Sequence, residues 1–183
     1  MRKFYFLFSF LFISFQLYSQ KEANNWYFGQ KAGITFNSGA PVALTNGQLT
    51  TLEGCSSISD ASGNLLFYTD GIKVWNRNHV VMTNGTNLKG DPSSTQSGII
   101  VPKPGNPNVY YIFTVDMQGG MALFAGGDAD GVSNGFMYSE VDMTLNGGLG
   151  NVTAVKNVLL KKPTTEGLCA VKHSNGTDRK SVV

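Results

Sequence analysis

Apolar residues along this chain fall into short runs that lack helical spacing. Leu65-Leu66-Phe67-Tyr68 and Val109-Tyr110-Tyr111-Ile112-Phe113 are continuous, so both faces of each predicted strand are apolar. A sheet with one wet face alternates apolar and polar positions, whereas an unbroken run implies cover on both sides. Beyond residue 20 no segment sustains a 3.6-residue apolar period bounded by capping residues. The pattern predicts an all-β chain.

One strand–turn–strand unit occurs twice. Residues 56–60, 61–64 and 65–70 form the first copy, and residues 98–101, 102–108 and 109–114 the second. Asn64 maps onto Asn108, an offset of 44 residues. A fixed period of roughly 40–50 residues is what the blades of a β-propeller show. The spacing predicts an incomplete propeller of about three blades plus the start of a fourth. Residues 26–49 read as a partial first blade, 55–88 as the second, 97–160 as the third, and 168–173 as the opening of a fourth. A β-sandwich is the alternative, because short strands with frequent turns suit it too. Four or more blades typically close a ring, so this much of one leaves an open edge, which invites aggregation.

Turn chemistry supports the all-β reading. Glycine supplies 22 of 183 residues, about 12% against a usual ~7%. Much of it sits in Asn46-Gly47, Asp70-Gly71, Asn84-Gly85, Asp130-Gly131, Asn134-Gly135, Asn146-Gly147 and Asn175-Gly176. Such pairs tolerate positive φ and predict tight hairpins.

The two ends change the charge argument. Met1-Arg2-Lys3 followed by an uncharged run from Phe4 to Tyr18 reads as a secretory signal peptide over residues 1–19. A membrane anchor is the competing reading, but the run is shorter than the roughly 20 residues a spanning helix needs. Residues 20–177 form the propeller-like region, expected to be truncated on its C-terminal side. Residues 178–183 offer no closing strand. With a stop codon they back-translate in frame to a sequence resembling a common sequencing adapter, so they are expected to be a non-native tail. Formal net charge is +2. Arg2, Lys3, Arg179, Lys180 and Asp178 lie in those two ends, leaving ten basic residues against eleven acidic ones. That balance excludes the basic patch a nucleic-acid partner requires; any membrane involvement is expected through export alone.

Several stretches in combination resemble a family of large exported proteins of the Bacteroidota associated with gliding motility. They are Asn25-Trp26-Tyr27-Phe28-Gly29, residues 53–60, residues 63–71, Val74-Trp75-Asn76-Arg77-Asn78, residues 93–97, residues 102–106 and residues 138–143. The resemblance covers most of residues 24–177. It implies the N-terminal propeller-like region of a cell-surface protein delivered by the type IX secretion machinery. It supplies no general catalytic residues. The family continues with an aromatic strand where this chain has Arg179-Lys180-Ser181, and no sorting domain is present.

Candidate chemistry is sparse. Asp60, Asp70 and Asp116 each follow a predicted strand and suggest a carboxylate ring for acid–base work on glycans; the plainer alternative is turn-forming Asp. Trp26, Tyr27, Trp75, Tyr110 and Tyr111 suggest a sugar-stacking platform, against the alternative of buried packing. Asp128, Asp130 and Asn134 form an acidic, glycine-rich loop that could suit Ca²⁺, but it lacks the third acidic position and the distal Glu of an EF-hand loop, and a solvated turn is the preferred reading; no other cofactor is expected. Cys55 and Cys169 would be permitted a disulfide in an exported protein; two separate buried thiols are the preferred expectation. His79 and His173 lack partners at zinc spacing. The expected function is an exported surface binding, display or adhesion protein without a catalytic site. Its partners would be the secretion machinery and an extracellular polysaccharide or surface protein. A carbohydrate-active propeller enzyme with catalytic residues in missing blades and a structural spacer are the alternatives.

Overall fold

The computed structural model describes residues 21–117 and 134–172, and the backbone of 179–182. The described residues are all-β, built from antiparallel sheets. Sheet 1 has the order β1 (Asn25–Phe28), β2 (Ala32–Thr35), β3 (Val42–Leu44). Sheet 2 has the order β4 (Ser56–Ser59), β5 (Leu65–Thr69), β6 (Val74–Asn76). Sheet 3 contains β7 (Gly98–Pro102), β8 (Val109–Val115), β9 (Phe136–Asp142), β10 (Asn151–Val152) and β11 (Val158–Lys161), with β8 between β7 and β9 and both β10 and β11 on β9. A hairpin of β12 (Cys169–Lys172) and β13 (Arg179–Val182) follows. No closed sheet is formed among them. The sequence reading left the final residues without a strand; here the backbone of β13 pairs with β12 in register.

Both copies of the repeated unit are hairpins. Ile58 pairs with Phe67 in the first, and Ile100 with Ile112 in the second. The continuous run of β5 has the consequence expected of it. Phe67 packs with Tyr110, Ile112 and Val141 of sheet 3, while the next residue, Tyr68, packs with Tyr27 and Leu49 beside sheet 1. Sheet 2 is therefore covered on both faces. The β8 run is covered less evenly: Tyr110 and Ile112 are buried, but Tyr111 and Phe113 on the opposite face are only half-buried. Leu168 reaches one end of that face, against Val115 and Phe136.

The turn expectation holds at Asp70-Gly71 and Asn146-Gly147, which lie between paired strands, and not at Asn46-Gly47 or Asn84-Gly85. Asp70-Gly71 joins β5 to β6 with Gly71 at φ 85°, and a Cβ there would collide with Ser97 Oγ and lie 2.7 Å from the Ser97 carbonyl oxygen. The hairpins β1–β2, β4–β5 and β7–β8 instead reverse through Gly29, Gly63 and Gly105, all at positive φ. Asn46-Gly47 and Asn84-Gly85 lie in loops outside these hairpins, and Asn146-Gly147 opens a 3-10 turn, Asn146–Gly148. Asn146 and Gly147, at φ 52° and 63°, lie between the paired strands β9 and β10, and Asn84, at φ 58°, lies in the β6–β7 loop. Asp130-Gly131 and Asn175-Gly176, like the signal-peptide segment, fall outside the described residues.

Candidate functional site

The aromatic residues picked out in the sequence do not form one platform. Tyr27, Tyr68 and Trp75 make a three-ring stack between sheets 1 and 2, with centroids 4.6 Å apart for Tyr27–Tyr68 and 5.5 Å for Tyr68–Trp75. Trp75 is 6% exposed, so it is packing and not a ligand surface. Tyr110 meets Phe67 edge-on in the core. Tyr111 lies on the far side of sheet 3, in an aromatic ladder with Phe113 and Tyr138. A groove of about 130 Å³ there is lined by Tyr111, Phe113, Tyr138 and Leu160.

Sequence reasoning placed no partner beside His79. The structure ties it to the ring stack. Asn46 Nδ2 lies 2.8 Å from His79 Nε2, and Tyr68 Oη lies 3.1 Å from Nδ1. An amide nitrogen only donates, so Nε2 accepts and the neutral ring carries its proton on Nδ1. Tyr27 Oη donates to Asn46 Oδ1 and the Gln48 amide donates to Tyr68 Oη, both at 3.1 Å. Burial lowers the His79 pKa and pushes the Tyr68 hydroxyl up to about 12, with the Gln48 bond opposing and Tyr27 adding to the rise. The signal that could have located this set is Tyr27, Asn46, Tyr68 and His79 all flanking predicted turns of neighbouring units.

The three aspartates do not form a ring. Antiparallel pairing places Asp60, after β4, and Asp70, after β5, at opposite ends of one hairpin, roughly 15 Å apart at ~3.3 Å per residue. Asp60 Oδ1 accepts from the amides of Ser62 and Asn64 at 2.8 and 2.9 Å, and Oδ2 from Asn64 Nδ2 at 3.0 Å. Its partial burial would raise the pKa, but these bonds outweigh that, with the Arg77 charge in support, and hold it below the ordinary value. Asp70 Oδ1 accepts from the Ile72 and Lys73 amides at 2.9 and 2.7 Å, and burial raises its pKa despite them. Asp116 accepts from the Met117 amide at 2.9 Å and from both nitrogens of Asn134 at 2.8 Å. All three close turns or loops.

Asn134 is thus engaged with Asp116; Asp128, Asp130 and His173 lie outside the described residues. Among the described residues no group of three His, Cys, Asp or Glu side chains is placed to hold a metal ion. Cys55 and Cys169 are both free. Cys55 is half-buried where a buried thiol was expected, and burial raises its thiol pKa against a hydrogen bond from Gly29. Cys169 is exposed, not buried, because it opens the outlying β12 strand. A depression of about 150 Å³ lined by Glu53, Cys55, Thr95, Gln96 and Ile99 sits before β4 and β7. Glu166 Oε2 accepts from the Thr95 amide at 3.1 Å, and Gln96 Oε1 from the Leu168 amide at 3.0 Å. These bonds anchor the final segment.

Trp26 behaves differently from every other aromatic residue the sequence reading singled out. On β1 it alternates with buried Asn25 and Tyr27 and is 50% exposed. Its Nε1 donates to the Ala23 carbonyl at 2.7 Å, and Phe36 meets the ring edge-on at 5.3 Å. No described helix is long and apolar enough to cross a membrane. No family model, curated protein or solved structure matches this chain.

Proposed function

We propose that this chain is the exported, propeller-like opening region of a cell-surface protein, of the Bacteroidota kind its motifs resemble, and that it serves in binding or display. The observation that carries the reading is the division of labour among its conspicuous side chains. The aspartates are held in turns and Trp75 is packed, whereas Trp26 and Phe28 of sheet 1 are exposed and half-buried Tyr111, Phe113 and Tyr138 of sheet 3 line an open groove. Surface of that kind engages partners or neighbouring sheets. Two stacked sheet–sheet interfaces in chain order support the propeller over the sandwich, since blades are covered on both sides.

The test is to express the tagged chain, joined at its C-terminus to a type IX sorting domain, in a Bacteroidota host and treat intact cells with protease. Surface-accessible tag that disappears when residues 1–19 are deleted supports the proposal. Tag protected inside the cell in both cases refutes it.

A further inference from the structure

His79 sits at φ 61°, a left-handed backbone conformation uncommon outside glycine. Its turn is closed by its own amide on the Asn76 carbonyl at 2.9 Å and by Asn76 Oδ1, which accepts from the Asn78 and Val80 amides. From there the imidazole reaches the loop that follows β3, with its centroid 5.4 Å from that of Tyr27 and 5.8 Å from that of Tyr68. Both ring nitrogens are used. In the neutral ring Nε2 accepts from Asn46 Nδ2 at 2.8 Å and Nδ1–H donates to Tyr68 Oη at 3.1 Å. The second lone pair of Tyr68 Oη takes the Gln48 amide, and the Tyr27 hydroxyl fixes Asn46 by donating to Oδ1. His79 therefore ties the tip of the sheet 1 loop, residues 45–48, to β5 of sheet 2. Past the tip Leu49 is 0% exposed, and its carbonyl accepts from the Lys31 amide at 2.9 Å. The base of the loop is thus anchored independently of the imidazole.

We propose that His79 is a proton-operated latch: the neutral ring holds residues 45–48 against sheet 2, and protonation releases them. One proton is enough because it reverses the role of one atom. Nε2 changes from acceptor to donor and then faces Asn46 Nδ2, itself only a donor. Turning the amide over gives Nε2–H an acceptor, but it sets Nδ2 against Tyr27 Oη and removes the acceptor that the Tyr27 hydroxyl uses. Either way one bond of the set is lost at a partly buried site. The titratable groups facing the ring are Tyr27 of β1 and Tyr68 of β5, neutral hydroxyls whose pKa values burial raises; neutral Asn46 faces it from the sheet 1 loop. Arg77, on the same turn as His79, donates instead to the Gly148 carbonyl at 2.6 Å. Among the described residues no charged group offsets the cost of an imidazolium here, and burial alone lowers the His79 pKa. The folded chain therefore binds this proton less readily than the unfolded one. The stability contributed by the neutral ring is complete above the ordinary histidine pKa of about 6.5 and is lost as pH falls below it. The latch stands independently of the export reading.

The chain has two histidines, and the His79 ring is assigned by the signals that vanish in His79→Asn, a replacement suited to positive φ. Long-range proton–nitrogen spectra of the imidazole and hydrogen exchange of the Gln48 amide would be followed on the mature chain from about pH 8 to about pH 4.5. At the alkaline end His79 is expected to carry its proton on Nδ1 and leave Nε2 bare. As the ring takes up its second proton, the protection factor of Gln48 should fall at least about tenfold, while that of the Lys31 amide, bonded to Leu49, stays within about twofold. His79→Asn should remove this pH dependence. Asn46→Asp gives Nε2–H a carboxylate acceptor, so it should raise the His79 pKa and keep Gln48 protected at about pH 5. A proton on Nε2 at about pH 8, a ring that stays neutral down to about pH 4.5, or Gln48 protection unchanged through the titration overturns the latch. Equal loss of protection at Gln48 and Lys31 would be general acid unfolding and overturns it as well.

Discussion

Removing the Tyr68 ring is the sharpest perturbation of the packing between sheets 1 and 2. Tyr68 is 0% exposed and lies between Tyr27 and Trp75, with interplanar angles of 17° and 12°. Truncating a buried aromatic residue to alanine costs about 3–5 kcal/mol, and two stacked contacts add roughly 0.5–1.5 kcal/mol each beyond area burial. Tyr68→Ala should therefore lose about 4 kcal/mol or more, a large part of the roughly 5–15 kcal/mol that holds a domain folded. Tyr68→Phe keeps the rings and removes only the acceptor of the Gln48 amide and the partner of His79, costing about 1 kcal/mol. For a chain of this size each kcal/mol shifts Tm by about 2–4 °C. Melts followed by near- and far-UV circular dichroism should show a drop of about 10 °C or more for the alanine variant and about 3 °C for phenylalanine. A Tyr68→Ala protein melting within about 2 °C of the parent would refute the stack as a structural core.

Further outcomes follow from the same geometry. The Tyr68 pKa lies above its unfolded value of about 10, so its contribution is complete below pH 10 and lost as pH rises toward about 12. Tyr68→Phe should flatten that alkaline decline in urea-melt stability, and an unchanged slope would contradict it. Gly71→Ala should destabilise by several kcal/mol through the Ser97 collision and the positive φ; a soluble variant with parental Tm would show that the β5–β6 turn is misplaced. Asp60→Ala should cost about 1 kcal/mol by opening the turn, and the loss should shrink as pH falls and the carboxylate protonates; equal loss at pH 3 and pH 7 would argue against the charge-dependent turn.

The strand pattern was legible because sheet packing writes itself into residue alternation. Leu65 to Tyr68 announced a doubly covered strand, and the 44-residue offset announced two hairpins of one kind. The hairpin turns were legible only in part: Asp70-Gly71 and Asn146-Gly147 join paired strands, but Asn46-Gly47 and Asn84-Gly85 lie in loops, and Gly63 and Gly105 carry reversals that no Asn-Gly pair marks. The aspartates misled for a related reason. They recur after strands, but Asp60 and Asp70 follow the two antiparallel members of one pair, and only the pairing shows that these ends point apart. Trp26 and Trp75 are indistinguishable by composition. Their opposite fates depend on which neighbouring sheet faces each side, information that is not local to either residue. The His79 network shares that origin, since Asn46 and His79 belong to different sheets' loops.

The claim underlying all of this is that sheet 2 packs against sheet 1 through Tyr68 and against sheet 3 through Phe67. Aromatic nuclear Overhauser contacts measured on the isotope-labelled mature chain test it directly. The account predicts cross-peaks from Tyr68 to Tyr27 and Trp75, and separately from Phe67 to Tyr110, whose ring centroids lie 5.5 Å apart. No contact between Phe67 and Tyr110, with the Phe67 ring broadened by a soluble paramagnetic probe, would mean one wet face on sheet 2, a two-layer arrangement that contradicts the stacked sheets.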